Sequence, residues 1–305
     1  MYMKEKVGQY LEYCEFRKKL DYNTIKAYRI DLRQFFEMVL SEEPNKTEIE
    51  NYIMDLHKKY KQKTVKRKIA SLKAFYNYLE EEEYIDENPF RRIKVKFKED
   101  VVLPRIISRE DIEKLLNYMY AYRDANTQIE EKNWLRDIAV VEVLFGTGAR
   151  VYEVSHIRLE SVNLYTGSLK ITGKGGKERY VQVADDSIMR LLRDYYEANK
   201  VAIKKSGYFF VNKRGDRYSE QSIRLMLKKY TKMAGIEKNI TPHMFRHSFA
   251  TYLVEEGVDI SCVKEILGHS SIKTTQIYLH IALAKQAEIL RDKHPRKRMH
   301  IIRAA

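Results

Sequence analysis

The sequence predicts a mainly α chain with one small β-sheet, divided into an all-helical N-terminal domain and a larger α+β domain. Three observations carry that prediction. Apolar residues recur at helical spacing through most of the chain, a basic stretch bounded by prolines interrupts them near residue 90, and one pair of alternating segments flanks a glycine-rich loop.

Residues 1–89 read as helices with short joints. In 23–39 the apolar positions Ile25, Tyr28, Leu32, Phe35 and Val39 fall on one helical face, and near 63–82 Val65, Ile69, Leu72, Tyr76 and Leu79 do the same. The other side of that second helix carries Lys66, Arg67, Lys68 and Lys73, within a basic block that begins at Lys58. Such a run is either a solvated face or a surface that touches phosphates and holds register without reading sequence. Asn88-Pro89 closes the unit, because a residue before proline avoids helical backbone. The basic stretch 90–105, closed by Pro104, is read as a linker.

The second domain, 106–305, opens with Ser108 as a helix cap followed by first-turn acids. An apolar helix over 133–145 stops at Gly146-Thr147-Gly148, and Arg150 then begins the next helix, where an anion is favoured. Glu153, one turn on, is placed to brace the Arg150 guanidinium. Residues 168–172 and 179–183 are extended and flank GKGGK, a hairpin loop from which Lys174 or Lys177 can reach a bridging oxygen. The loop joins strands and has no Ser or Thr after its lysine, so it is not a nucleotide-binding P-loop. Helices follow at 186–200 and 219–234. Arg217 and Arg224, near the latter, are of the residue type that pairs with base edges in a groove, although a solvated helix start accounts for them equally.

The remaining chemistry lies between Thr241 and His280. Thr241-Pro242 is a helix start. On that helix Phe245, Phe249, Tyr252 and Leu253 share a side, while His243 and Arg246 occupy another. Asp259 caps a second helix, along which Ile260, Val263, Ile266 and Leu267 share a side, and Gly268 supplies a left-handed stop. His269 leaves that stop at a fixed angle, and Tyr278 follows nine residues on. A guanidinium offers a planar fork of donors to phosphate oxygens, an imidazole donates to the same group or moves a proton, and a tyrosine hydroxyl attacks phosphorus to leave a covalent ester. Together they describe phosphoryl transfer through a phosphotyrosine. His243 and His247 have the spacing of a metal pair, but no glutamate follows His243 and Arg246 opposes a bound cation. No metal and no cofactor are expected.

Composition agrees. With 57 Lys and Arg against 43 Asp and Glu, the net charge of +14 and pI near 9.4 favour a polyanionic partner. No apolar run approaches a membrane span and the first residues lack a signal-peptide core, so a soluble, intracellular chain is expected. Cys14 and Cys262 are too few for a disulfide framework and are read as buried, reduced thiols.

His243-Met-Phe-Arg246-His247, then Leu267-Gly268-His269, then Tyr278 resembles the carboxy-terminal signature of the tyrosine recombinase (phage integrase) family. Gly146-Thr147-Gly148-Ala149-Arg150-Val151-Tyr152-Glu153 is similar to the motif of its first arginine. The resemblance covers nearly the whole chain and points to the simple two-domain, Xer-like members, without the arm-binding domain of larger integrases. It implies a helical DNA-clamping (SAM-like) domain over 1–89 and six catalytic residues, Arg150, Lys174, His243, Arg246, His269 and Tyr278. The two arginines would grip the scissile phosphate. Lys174 would protonate the leaving 5′-oxygen, with Lys177 as its competitor, and His243 would accept the tyrosine proton or donate to phosphate. The implied activity is site-specific DNA recombination through a 3′-phosphotyrosine, in a prokaryotic cytoplasm at the nucleoid. The partners it implies are double-stranded recombination sites, a homo-tetramer joined by exchange of the C-terminal tail, and in some relatives a second recombinase or accessory protein. A type IB topoisomerase and a non-catalytic DNA-binding regulator descended from a recombinase are the alternative readings.

Overall fold

A computed structural model describes residues 3–95, 97, 105–121, 128–173, 176–268 and 291, with only the backbone of 128 and 129. The chain forms two compact units, 1–100 and 101–305.

In the first unit α1 (Lys6–Glu12) continues into a π-helical turn, Tyr13–Arg17, and is followed by α2 (Tyr22–Met38), α3 (Lys46–Lys59) and α4 (Gln62–Glu81). Caps set the starts: Asp21 accepts from the Thr24 N–H, and Asn45 and Glu48 form a reciprocal capping box. The expected stripes face inward. Leu32, Phe35, Leu72, Tyr76 and Leu79 are fully buried, and the Phe35 ring meets Tyr52 edge-on at 4.9 Å. Each such side chain contributes about 1.5–3 kcal/mol by leaving water.

Two expectations need correction here. Lys68 is not on the solvated face of α4. It is 3% exposed, and its Nζ donates to Asp31 Oδ1 at 3.1 Å and to Gln34. The unit also extends past residue 89, because Phe90, in a 3₁₀ turn over Pro89–Arg91, and Ile93 are both buried in its core. The start of the supposed linker is therefore docked by its apolar side chains.

The second unit is built on α6 (Gln128–Thr147), whose residues from Ile138 to Leu144 are buried on all sides. Around it pack α8 (Asp186–Ser206), α9 (Glu220–Met233) and α10 (Pro242–Glu255), while α5 (Arg109–Ala121) lies against α6 and α9. Ser108 caps α5 through the Asp111 N–H at 3.2 Å. Thr241 stands at the N-cap of α10, yet its side chain makes no cap bond and Pro242 sets the start. The sheet is antiparallel in the order β1 (Val162–Asn163), β2 (Ser168–Thr172), β3 (Glu178–Gln182), with Ile171 opposite Arg179 and Leu169 opposite Val181. Two short helices lie nearest the candidate site. They are α7 (Val151–Ser155), and α11 (Ile260–Leu267), capped by Asp259 and ended by Gly268 in the left-handed region as expected. Cys14 is buried, but Cys262 is exposed on α11, contrary to the sequence reading. No helix among the described residues is long and apolar enough to cross a membrane.

Candidate active site

The turn between α6 and α7 is the floor of the site. Gly148 takes φ +60°, and a Cβ there would lie 2.5 Å from the Phe249 ring and 2.8 Å from Leu267, so both backbone and space demand glycine. That close approach brings α10 and α11 onto the turn. Arg150 is the N-cap residue of α7. Its main-chain N–H donates to Glu153 Oε2 at 2.8 Å and its Nη1 to Glu153 Oε1 at 2.7 Å, which is the brace expected from the i,i+3 spacing. The Arg150 side chain remains 38% exposed, so the guanidinium is held at one edge and open at the other.

Arg246, on α10, is 5% exposed. Its Nη1 donates to the Gly148 carbonyl at 2.8 Å and its Nη2 to the Leu267 carbonyl at 2.7 Å. The two arginines of the sequence signature are thereby brought to one turn of backbone. His243, one helical turn before Arg246, is exposed. Burial lowers the pKa of His247, and the nearby His243 and Arg246 add to that depression. Lys174, His269 and Tyr278 lie outside the described residues. The residues just before Lys174 and His269 are described: Gly173 approaches Glu153, a Cβ on it lying 3.4 Å from Oε1, and Gly268 lies against Arg179.

Arg179 was not anticipated. From β3 its Nη1 and Nη2 donate to Glu153 Oε1 and Oε2 at 3.0 and 2.8 Å, and its Nε donates to the Ile266 carbonyl at 3.0 Å. Burial alone would raise the Glu153 pKa, but the hydrogen bonds from Arg179 and Arg150 and the Arg179 charge outweigh it and hold the carboxyl at about 2. A signal for Arg179 existed. Strand alternation puts it on the inward face with Val181, where an unpaired charge is not tolerated.

The basic residues expected to meet DNA divide. Lys66 is exposed on α4 with its ammonium 5.8 Å from the Phe97 ring, and Lys73 is half-buried with its own 6.0 Å from the Phe90 ring. Arg67 pairs with the buried Asp31 while its side chain stays 45% exposed. Arg217 is half-buried and donates to Ser155 Oγ at 2.5 Å, whereas Arg224 is exposed beside Glu220 on α9. Among the described residues no group of three or more His, Cys, Asp or Glu is arranged to hold a metal ion.

Comparison with known proteins decides the family. Residues 105–285 match the phage integrase family, and residues 7–83 match the phage integrase N-terminal SAM-like domain. The chain belongs to the phage integrase family. With membership comes the chemistry of tyrosine recombinases, enzymes of DNA strand transfer that work through a phosphotyrosine intermediate. A tyrosine recombinase of Agathobacter rectalis is 46% identical over 298 residues, covering 96% of this chain and 97% of that protein. Tyrosine recombinase XerC of Leptospira interrogans is 34% identical, covering 97% and 95%. Among solved structures, XerH site-specific recombinase bound to a palindromic difH substrate aligns with a TM-score of 0.75 at 22% identity, over 95% of this chain and 85% of that one. A lambda integrase dimer bound to a COC′ core site aligns with a TM-score of 0.66 at 15% identity, over 89% and 96%. At such identity these two likenesses bear on the fold, and they agree with the helical unit followed by an α+β unit described above.

Proposed function

We propose that this chain recombines DNA at specific sites, with Arg150, Lys174, His243, Arg246, His269 and Tyr278 as its catalytic residues. The observation that supports the reading most is the bond from Arg246 to the Gly148 carbonyl, 98 positions away in sequence and two residues before Arg150. Two guanidiniums on one turn suit two nonbridging oxygens of a single phosphate.

Tyr278 attacks the scissile phosphorus, and a 3′-phosphotyrosine forms as the bond to the 5′-oxygen breaks. Lys174 gives that oxygen its proton, while His243 takes the proton of the tyrosine or donates to phosphate. Arg150, Arg246 and His269 stabilise the charge that builds on the equatorial oxygens. A 5′-hydroxyl from a second duplex then displaces Tyr278. The count of phosphate ester bonds is the same before and after, so no nucleotide is consumed.

The duplex partners this chain through its basic residues, with Lys66 and Lys73 on α4 and Arg217 and Arg224 before and on α9 as contacts. Relatives have been captured as a dimer on a core site and as a tetramer on a Holliday junction. We assign this chain a homo-tetramer on DNA in which the tail after Tyr278 docks on a neighbour. The bacterial source of its relatives supports a place in a prokaryotic cytoplasm.

A nicked suicide substrate tests the assignment. Wild type accumulates a covalent protein–DNA adduct, and Tyr278→Phe binds the same DNA without forming one. An adduct that persists in Tyr278→Phe overturns the role of Tyr278.

A further inference from the structure

We propose that Arg179 is a positioning residue for strand cleavage, one that fixes Arg150 through Glu153 and fixes the point at which the chain leaves α11 towards His269 and Tyr278. The inference rests on the reading above and adds a residue to it.

Every nitrogen of the Arg179 guanidinium is engaged. Its two terminal nitrogens clasp both oxygens of Glu153 and its Nε holds the Ile266 carbonyl, so each nitrogen has an acceptor within 3.0 Å. The side chain is 12% exposed. The Arg150 side chain, by contrast, keeps 38% of its surface exposed. All three nitrogens of Arg179 are bound to protein acceptors, and its charge serves placement.

What it places is a closed ring. Arg150 is held by Glu153, Glu153 by Arg179, and Arg179 grips the carbonyl end of α11 at Ile266. The neighbouring Leu267 carbonyl is held by Arg246, whose other nitrogen returns to Gly148, two residues before Arg150. Three arginines are thus tied together through one carboxylate and three main-chain carbonyls. The chain leaves the ring at Gly268, where φ is +63° and a Cβ would stand 2.9 Å from Arg179 Cδ. The stem of Arg179 is the wall against which that exit is shaped.

Lysine cannot substitute. One ammonium carries the charge but lacks the planar fork that meets two carboxylate oxygens and a carbonyl together.

The test compares wild type, Arg179→Ala and Arg179→Lys in the full chain. It measures DNA affinity and the rate of adduct formation on two nicked substrates, one with the ordinary phosphodiester and one with a neutral methylphosphonate at the scissile position. The neutral linkage has one charged oxygen fewer to grip, so it relieves a misplaced Arg150 but does not relieve general damage. Arg179→Ala is expected to cleave the phosphodiester roughly 100-fold more slowly, the scale of a small misplacement of reacting groups, with DNA affinity unchanged and a smaller loss on the methylphosphonate. Arg179→Lys is expected to restore stability more than rate. Cleavage at the wild-type rate by Arg179→Ala, or equal losses on both linkages, overturns the proposal. Should Arg179→Ala fail to fold, Arg179→Lys decides by the same two ratios. A wild-type chain that forms no adduct overturns the recombinase reading itself and this role with it.

Discussion

In each unit a buried carboxylate lies between two cations, and the two arrangements differ in what they leave open. In the helical unit Asp31 is wholly buried and is shared by Lys68, Ser71 and Arg67, joining α2 to α4. In the α+β unit Glu153 is 2% exposed and is shared by Arg150 and Arg179, joining α7 to β3. Around Asp31 the fully buried cation, Lys68, is consumed by the fold. Around Glu153 the buried cation, Arg179, is consumed likewise, but it holds steady a carboxylate whose second partner keeps 38% of its side chain in the open. The same buried pair is a clasp in one place and a mount in the other.

Removing the clasp should have the largest effect on stability. Asp31→Asn leaves the Lys68 ammonium buried without its counter-charge, and breaking one side of such a pair costs about 3–5 kcal/mol. Urea unfolding of the full chain should show that loss, with adduct formation per folded molecule unaltered. A loss below about 1 kcal/mol would mean that the cluster is not a clasp.

Removing the mount should be next in size, and it depends on pH. Glu153 drops from an ordinary 4.5 to about 2 on folding, which amounts to about 3 kcal/mol of stability from its ionisation. Because the folded value is the lower one, that stability is present above pH 4.5 and fades as pH falls towards 2. The stability difference between wild type and Glu153→Gln should therefore be flat near neutrality and shrink across that window, with slower cleavage at neutral pH besides. A difference that does not change below pH 4.5 would separate Glu153 from its two arginines.

The smallest effect should come from the open face of α4. Lys66→Ala should flatten the dependence of log affinity on log salt by about one unit, with little change in stability. Lys68→Met should leave that slope alone, since its ammonium already faces Asp31. Equal changes in slope would erase the distinction between the two lysines.

Local patterns carried the sequence a long way here. The stripes on α2 and α4, the caps at Ser108 and Asp259, the hairpin around GKGGK and the left-handed stop at Gly268 all depend on neighbours within a few residues, so each could be read off the chain. Glu153 as the brace of Arg150 was legible for the same reason, three positions being one turn. Lys68 was not, and for Arg179 strand alternation gave the inward face but not the partner. Each is a charge on an inward face, and whether such a charge turns out to solvent or finds a distant partner depends on an element 37 or 26 residues away. Phe90 misled in the opposite direction, because a proline and a run of basic residues hid an apolar side chain that the core of α4 had room to bury.

What the sequence determined by itself was the succession of helices and strands and the set of chemical groups, since periodicity, capping and motif spacing are short-range properties. Only the tertiary structure decided which cations are spent on the fold and which stay open, because burial and pairing are settled between segments that meet by packing.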